Sequence, residues 1–375
     1  MLALPRGGRR IELRALHVFE SVAAKLTDEM YASIIDRPNG WLARRLTAGA
    51  LEVWTSKHGW LFDGRGKLLR EASPSRGTGH GREWYGAFLP DGRWVTTDVE
   101  DFDGKLYFHA SDGTLLRTTP SDELAPAMKG DSGDLIGWAR SDRRGEGWVV
   151  SVGSEEGRAT VWVGSEGPAR ILDGTERWKL CYPRALGPRG WYIEMSVPDD
   201  AGELSLSRGG AGHGPGVGFP VYARTLEDDE HPDGHRVPDG GYNFGFWPGK
   251  TSFFVGAESD DDRPSAARHT RKFWKGFDNS LVPVVDKTWL FNEAGQVVAW
   301  VRARRIGDAA DGRAMLFRVT EDSRVATIGP DLKIEVMRRF VWKNGAVGDA
   351  VWLWDDLRLG LFVRQGRLVL ASWAK

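Results

Sequence analysis

Between Glu83 and Thr119 the chain reads EWYGAFLPDGRWVTTDVEDFDGKLYFHASDGTLLRTT, four short runs of strand-forming residues separated by three turn signals. Pro90-Asp91-Gly92 presets the first turn, because proline fixes φ and glycine accepts positive φ without a Cβ clash. Asp103-Gly104 and Asp112-Gly113 supply the second and third. The runs between them are rich in Trp, Tyr, Phe, Val, Thr and Leu, which suit a pleated, packed surface. The stretch therefore predicts four strands folded back on one another as one antiparallel sheet.

This pattern recurs. Trp84 and Trp94 bracket LPDG, Trp138 and Trp148 bracket SDRRGEG, and Trp342 and Trp352 bracket KNGAVGD, all three pairs ten residues apart. Trp289 and Trp300 flank NEAG at a separation of eleven, and Trp41 with Trp54, Tyr182 with Trp191 and Trp247 with Phe253 are looser versions. Read as the first hairpin of each unit, these pairs predict seven units starting at 41, 84, 138, 182, 247, 289 and 342. A second hairpin signature recurs from Trp60, Leu106, Thr160, Met315 and Gly360. Several strands lack strict in-out alternation, as expected where neighbouring sheets cover both faces.

Composition agrees with many short aromatic strands joined by tight turns: 18 tryptophans and 48 glycines in 375 residues. A formal net charge of -1 carries neither the basic footprint of a nucleic-acid binder nor an acidic tail. Cys181 is the only cysteine, so an internal disulfide or a zinc site built on several thiolates is excluded. It is expected to be a small buried hydrophobe. The first residues, MLALPRGGRRIELRAL, lack the apolar core of a signal peptide, and no run approaches the length of a membrane span. A cytoplasmic protein without a membrane segment is the expectation.

Residues 1–40 have a different period. Ile11, Leu13 and Ala15 alternate with charged residues as a strand does, and Val18, Val22, Leu26, Met30 and Ile34 recur every four residues as one helical face does. The helix is expected to end at the breaker cluster Asp36-Arg37-Pro38-Asn39-Gly40. This predicts a strand and helix extension packed on the repeats as a cap.

On these repeats, residues 41–375 resemble a seven-bladed β-propeller of four-stranded antiparallel blades, an all-β fold. The resemblance is generic. There is no WD dipeptide series with its partner Gly-His, no regular kelch double glycine, and one Asp-box approximation at Ser141 to Trp148 with its Asp one place early. Closure is expected to use the Gly360 to Trp373 hairpin in the last blade, with the Ile11 strand at its outer edge.

Two stretches depart from the repeat, at about 207–241 and 259–287. The first holds SRGGAGHGPGVGF, which lacks the helix and the Lys-Ser/Thr of a phosphate loop. It continues with Asp228, Asp229, Glu230, His231, Asp233 and His235, a mixture able to ligate a divalent metal. Pro232 and Gly234 break the helix an i, i+4 His pair needs, so a solvated acidic loop without metal is the expectation. The second places Arg271, Phe273, Trp274 and Lys275 together, basic residues interleaved with aromatics. That mixture suits a protein contact site, and the absence of a basic excess elsewhere argues against nucleic acid. Asp98 to Gly104 resembles the start of a calcium loop, but alignment on Gly104 leaves Val99 first and Ala110 twelfth. No catalytic spacing is present, and no cofactor is expected. The expected function is a non-catalytic scaffold binding a protein partner through rim or central-mouth loops, the alternative being a propeller-type hydrolase or lyase acting on a glycan or small metabolite.

Overall fold

The computed structural model describes residues 2–19, 42–46, 49–54, 58–73, 84–98, 105–124, 135–141, 145–154, 157–164, 170–175, 182–186, 191–196, 203–208, 219–222, 242–246, 253–257, 287–291, 297–319, 322–365 and 367–374. The expected N-terminal helix, apart from its first residue, lies outside them, as does Cys181. Two compact units are present: residues 29–179, and residues 1–28 with 180–375.

The 29–179 unit holds three four-stranded sheets, each an antiparallel meander in chain order. Strands are numbered from β1 (Arg9–Val18), which belongs to the other unit. The first sheet is β2 (Leu42–Arg45), β3 (Leu51–Trp54), β4 (Gly59–Phe62) and β5 (Leu68–Ala72). The second is β6 (Trp84–Phe88), β7 (Trp94–Asp98), β8 (Lys105–His109) and β9 (Leu115–Pro120), the four strands expected from the sequence. A short helix, α1 (Ser121–Leu124), follows. The third is β10 (Leu135–Ser141), β11 (Gly147–Ser154), β12 (Gly157–Gly164) and β13 (Arg170–Thr175).

The second sheet is apolar on both faces because both are covered. Phe88 and Trp94 join Trp54 and Leu61 of the first sheet in one core cluster. Ala87 and Val95, pointing the other way, join Trp148, Val150, Val161 and Val163 of the third. The joint between the first two sheets is also polar. Glu52, fully buried on β3, pairs with Arg44 Nε at 2.7 Å. Its other oxygen accepts from the Trp54 indole at 2.9 Å and from the Phe88 backbone N–H at 2.7 Å, so one carboxylate holds the neighbouring sheet. Arg44 in turn donates to the Gly86 carbonyl at 2.9 Å. The Trp54 ring occupies the space a Cβ on Gly86 would need, 2.4 Å away.

In the other unit, β14 (Tyr182–Leu186), β15 (Trp191–Ser196), β16 (Glu203–Arg208) and β17 (Phe219–Tyr222) make a fourth sheet. A fifth contains β18 (Tyr242–Phe246), β19 (Phe253–Ala257), β20 (Lys287–Phe291) and β21 (Val297–Val301). The remaining strands, with β1, close an eight-stranded barrel from two meanders. The first meander is β22 (Ala303–Asp308), β23 (Met315–Val319), β24 (Val325–Ile328) and β25 (Ile334–Trp342). The second is β26 (Asp349–Trp354), β27 (Leu359–Arg364) and β28 (Arg367–Trp373), completed by β1, which pairs antiparallel with β28. The strand expected at Ile11 thus adds to the Gly360 to Trp373 hairpin.

Two parallel seams join the meanders: β1 with β25 from Arg9↔Arg338 to Leu13↔Trp342, and β22 with β26 at Gly307↔Leu353 and Asp308↔Trp354. Gly307 has φ +145°, and a Cβ there would lie 2.2 Å from the Leu353 carbonyl oxygen, so only glycine permits the second seam. Between the meanders pack Leu13, Leu316, Phe340, Trp342, Phe362 and Trp373. Phe317 and Ile328, on the opposite face, pack with Leu290 and Val301 of the fifth sheet. Asp355 is buried beside Arg338, which it meets through both oxygens, and accepts from the Ala310 N–H at 3.0 Å.

The sheet boundaries differ from the sequence reading in the second half. Trp289 and Trp300 are direct cross-strand partners, but on β20 and β21, so they close the fifth sheet rather than opening a sixth unit. Trp342 ends β25 and Trp352 lies on β26, strands that do not pair. β17 falls inside the stretch set apart at 207–241. Cross-strand aromatics around a turn mark a hairpin, but any of a sheet's three hairpins can carry them.

One turn chemistry recurs throughout. Asp63, Asp91, Asp112, Asp311, Asp322, Asp331 and Asn344 each accept, through Oδ1, the backbone N–H two residues on, at 2.9–3.2 Å. The residue between is left-handed at Gly92, Gly113, Gly312, Ser323, Leu332 and Gly345. These N–H bonds are the main cause holding the Asp112, Asp311 and Asp331 carboxyls below the ordinary aspartate value.

Candidate functional site

Two surfaces merit chemical inspection. The first is β9, the last strand of its sheet, whose outer edge pairs with no strand among the described residues. Consecutive strand residues point to opposite faces, yet Leu115 and Leu116 are 52% and 53% exposed. The strand is held from behind. Arg117 stacks over Phe108 at 4.2 Å and donates to the Gly164 carbonyl at 2.7 Å. Opposite, His109 lies flat on Trp94, 3.6 Å between centroids and 4° between planes. Burial pushes the His109 pKa down, partly offset by the Gly113 carbonyl.

The second is a cavity of about 160 Å³ in the barrel unit, between the turn after β25 and the turn after β27. Trp342, Asn344, Val347, Asp349, Val363 and Arg364 are among its lining residues. The sequence builds it from two tight turns. Gly345, at φ +84°, lets the chain reverse so that Trp342 N–H donates to the Ala346 carbonyl at 2.8 Å. Gln365, at φ +51°, turns β27 into β28, whose first pair is Arg364↔Arg367. The Arg364 guanidinium lies 4.8 Å over the Trp342 ring. Asp349 accepts from Ser323 Oγ and faces Arg318 Nη1 at 3.6 Å, both through Oδ1.

Arg271, Phe273, Trp274 and Lys275 lie outside the described residues, as do His231, His235 and the acidic residues around them. Asp98 is the last residue of β7, and 99–104 lie outside as well. Among the described residues no group of three or more His, Cys, Asp or Glu could hold a metal ion. No helix among them is long and apolar enough to cross a membrane. The exposed leucines and the Trp342 cavity were both missed by the sequence reading. The leucines lie inside a repeat that reads as plain structure, and the cavity residues meet only through strand register.

No protein-family model matches the chain, and no curated protein matches it. Solved structures similar to it include the β-propeller domain of Cps50 (Swd1) from Myceliophteria thermophila, 9% identical, covering 96% of this chain and 99% of that one, with a TM-score of 0.44. Virginiamycin B lyase from Staphylococcus aureus is 9% identical over 96% of this chain and 99% of its own, with a TM-score of 0.43. Hydrazine synthase from Kuenenia stuttgartiensis is 8% identical over 90% and 97%, with a TM-score of 0.45. The chain's own four-stranded antiparallel meanders, one after another in sequence order, have the build of β-propeller blades.

Proposed function

We propose that the chain is a seven-bladed β-propeller acting in the cytoplasm as a non-catalytic scaffold for a protein partner. Five four-stranded sheets and a barrel that divides into two further meanders of four supply seven blade-sized groups. The observation that carries the partner reading is the pair of exposed leucines on the unpaired edge of β9. An edge that pairs with no strand among the described residues and exposes apolar side chains on both faces accepts an added strand, so the partner contributes an extended, apolar segment. Arg271, Phe273, Trp274 and Lys275 are proposed as a separate partner-contact segment, on the strength of their mixture of basic and aromatic side chains.

The test is a photo-crosslinking residue at position 116 in cells, with mass spectrometry of the adduct, followed by binding of the purified partner. Replacing Leu115 and Leu116 together by Ser should weaken binding by about 2 kcal/mol or more at an unchanged melting temperature. Unchanged affinity in that variant would overturn the edge-strand reading.

A further inference from the structure

We propose that the cavity beside Trp342 is a binding site for a small zwitterion of amino-acid size, its carboxylate taken by Arg364 and its ammonium by Asp349. The inference starts from groups that the protein leaves unspent. Trp342 is 2% exposed, so its ring is a fixed, buried platform at the cavity wall. The Arg364 guanidinium stacks on the same ring and makes no hydrogen bond or ion pair among the described residues. A guanidinium held in plane by an aromatic face presents its donors in a fixed fork, the geometry that suits a carboxylate.

The opposite charge is on the same lining. Both contacts of Asp349 fall on Oδ1, leaving Oδ2 without a partner among the described residues. A simple anion would meet Asp349 unfavourably and a simple cation would meet Arg364, whereas a molecule carrying both charges satisfies each. Val347, Ala346 and Val363 supply an apolar wall for a short side chain. At about 160 Å³ the cavity is well below the roughly 300 Å³ at which sites for drug-sized ligands begin, which limits the occupant to a few heavy atoms.

The experiment titrates the full chain, labelled at tryptophan indole nitrogens, with L-alanine, L-serine, acetate and methylamine in turn. The Trp342 resonance is assigned through Trp342→Phe. The expected result is a saturable shift of that resonance with the amino acids, at least about tenfold tighter than with acetate or methylamine, since each of these meets only one of the two charges. Arg364→Gln, a change at a half-exposed residue, should abolish the shift without changing the melting temperature, and Asp349→Asn should lower affinity for the amino acids while leaving that for acetate no weaker. No shift with either amino acid at millimolar concentration, equal binding of acetate, or unchanged binding by Arg364→Gln would each overturn the proposal.

Discussion

The joint between the first and second sheets and the joint between the two barrel meanders both bury a carboxylate that reaches a neighbour's backbone N–H, yet they are built differently. At the first, Glu52 meets Arg44, Trp54 and Phe88, and side chains carry the contact. At the second, Asp355 meets Arg338 and Ala310, but two parallel backbone seams run beside it. A side-chain joint concentrates its stability in a few atoms, whereas a ladder spreads it over many equivalent bonds. The turns differ in the same two units. Among the described residues every left-handed position in the 29–179 unit is glycine, while Ser323, Leu332, Arg358 and Gln365 adopt positive φ in the barrel.

The largest expected effect separates the joints directly. Glu52→Ala leaves the Phe88 N–H and the Arg44 guanidinium without their buried acceptor and should cost about 3 to 5 kcal/mol in chemical denaturation. Asp355→Ala should cost less, about 1 to 3 kcal/mol, because the seams remain. Equal losses would remove the distinction. Gly307→Ala attacks the seam itself and should cost about 1 to 3 kcal/mol, as the new Cβ forces β22 and β26 apart. A neutral result would mean that the seam is not needed to hold the barrel.

A smaller effect reports on the 29–179 unit alone. The His109 pKa is lowered by burial from its ordinary value of 6.5, so the unfolded chain binds the proton more readily than the folded one. Its contribution is complete above 6.5 and is lost as pH falls through that value toward the folded pKa. Wild-type stability should therefore decline as the pH falls below about 6.5, and His109→Phe, which keeps an aromatic ring against Trp94, should flatten the decline. An unchanged profile would assign the decline to other groups. Smallest of all, Arg358→Gly should relieve a left-handed residue and stabilise the barrel by a few tenths of a kcal/mol, since lost strain is partly offset by a more flexible unfolded chain. A destabilised variant would show that the Arg358 side chain contributes more than its backbone strain costs.

Much of the sheet architecture was legible. Asp91-Gly92 and Asp112-Gly113 form the turns their chemistry requires, and the alternation of Ile11, Leu13 and Ala15 is strand β1. The phase of the repeat was not, because Trp289 and Trp300 are opposed as any hairpin pair is, whichever hairpin of the sheet they occupy. Turns at Ser323 and Leu332 escaped notice for lack of a glycine, although each follows an Asp that accepts the next N–H but one. The candidate cavity was illegible for a deeper reason. Trp342, Asp349 and Arg364 belong to three strands, and the register Asp349↔Val363 that brings two of them together is a tertiary fact.

The pairing of Leu13 with Trp373 also sets a clock. β1 is synthesised well before β28, and at ordinary elongation rates the antiparallel partner of Leu13 follows on the order of 20 to 70 s later. Closing so long a loop costs about 3 kcal/mol more entropy than closing a hairpin of about ten residues. The amides of β1 should accordingly gain protection last in pulsed hydrogen exchange during refolding; early protection would place this strand in the folding nucleus. Until then β1 is an unfinished edge, open to chaperones and to the β28 of another copy.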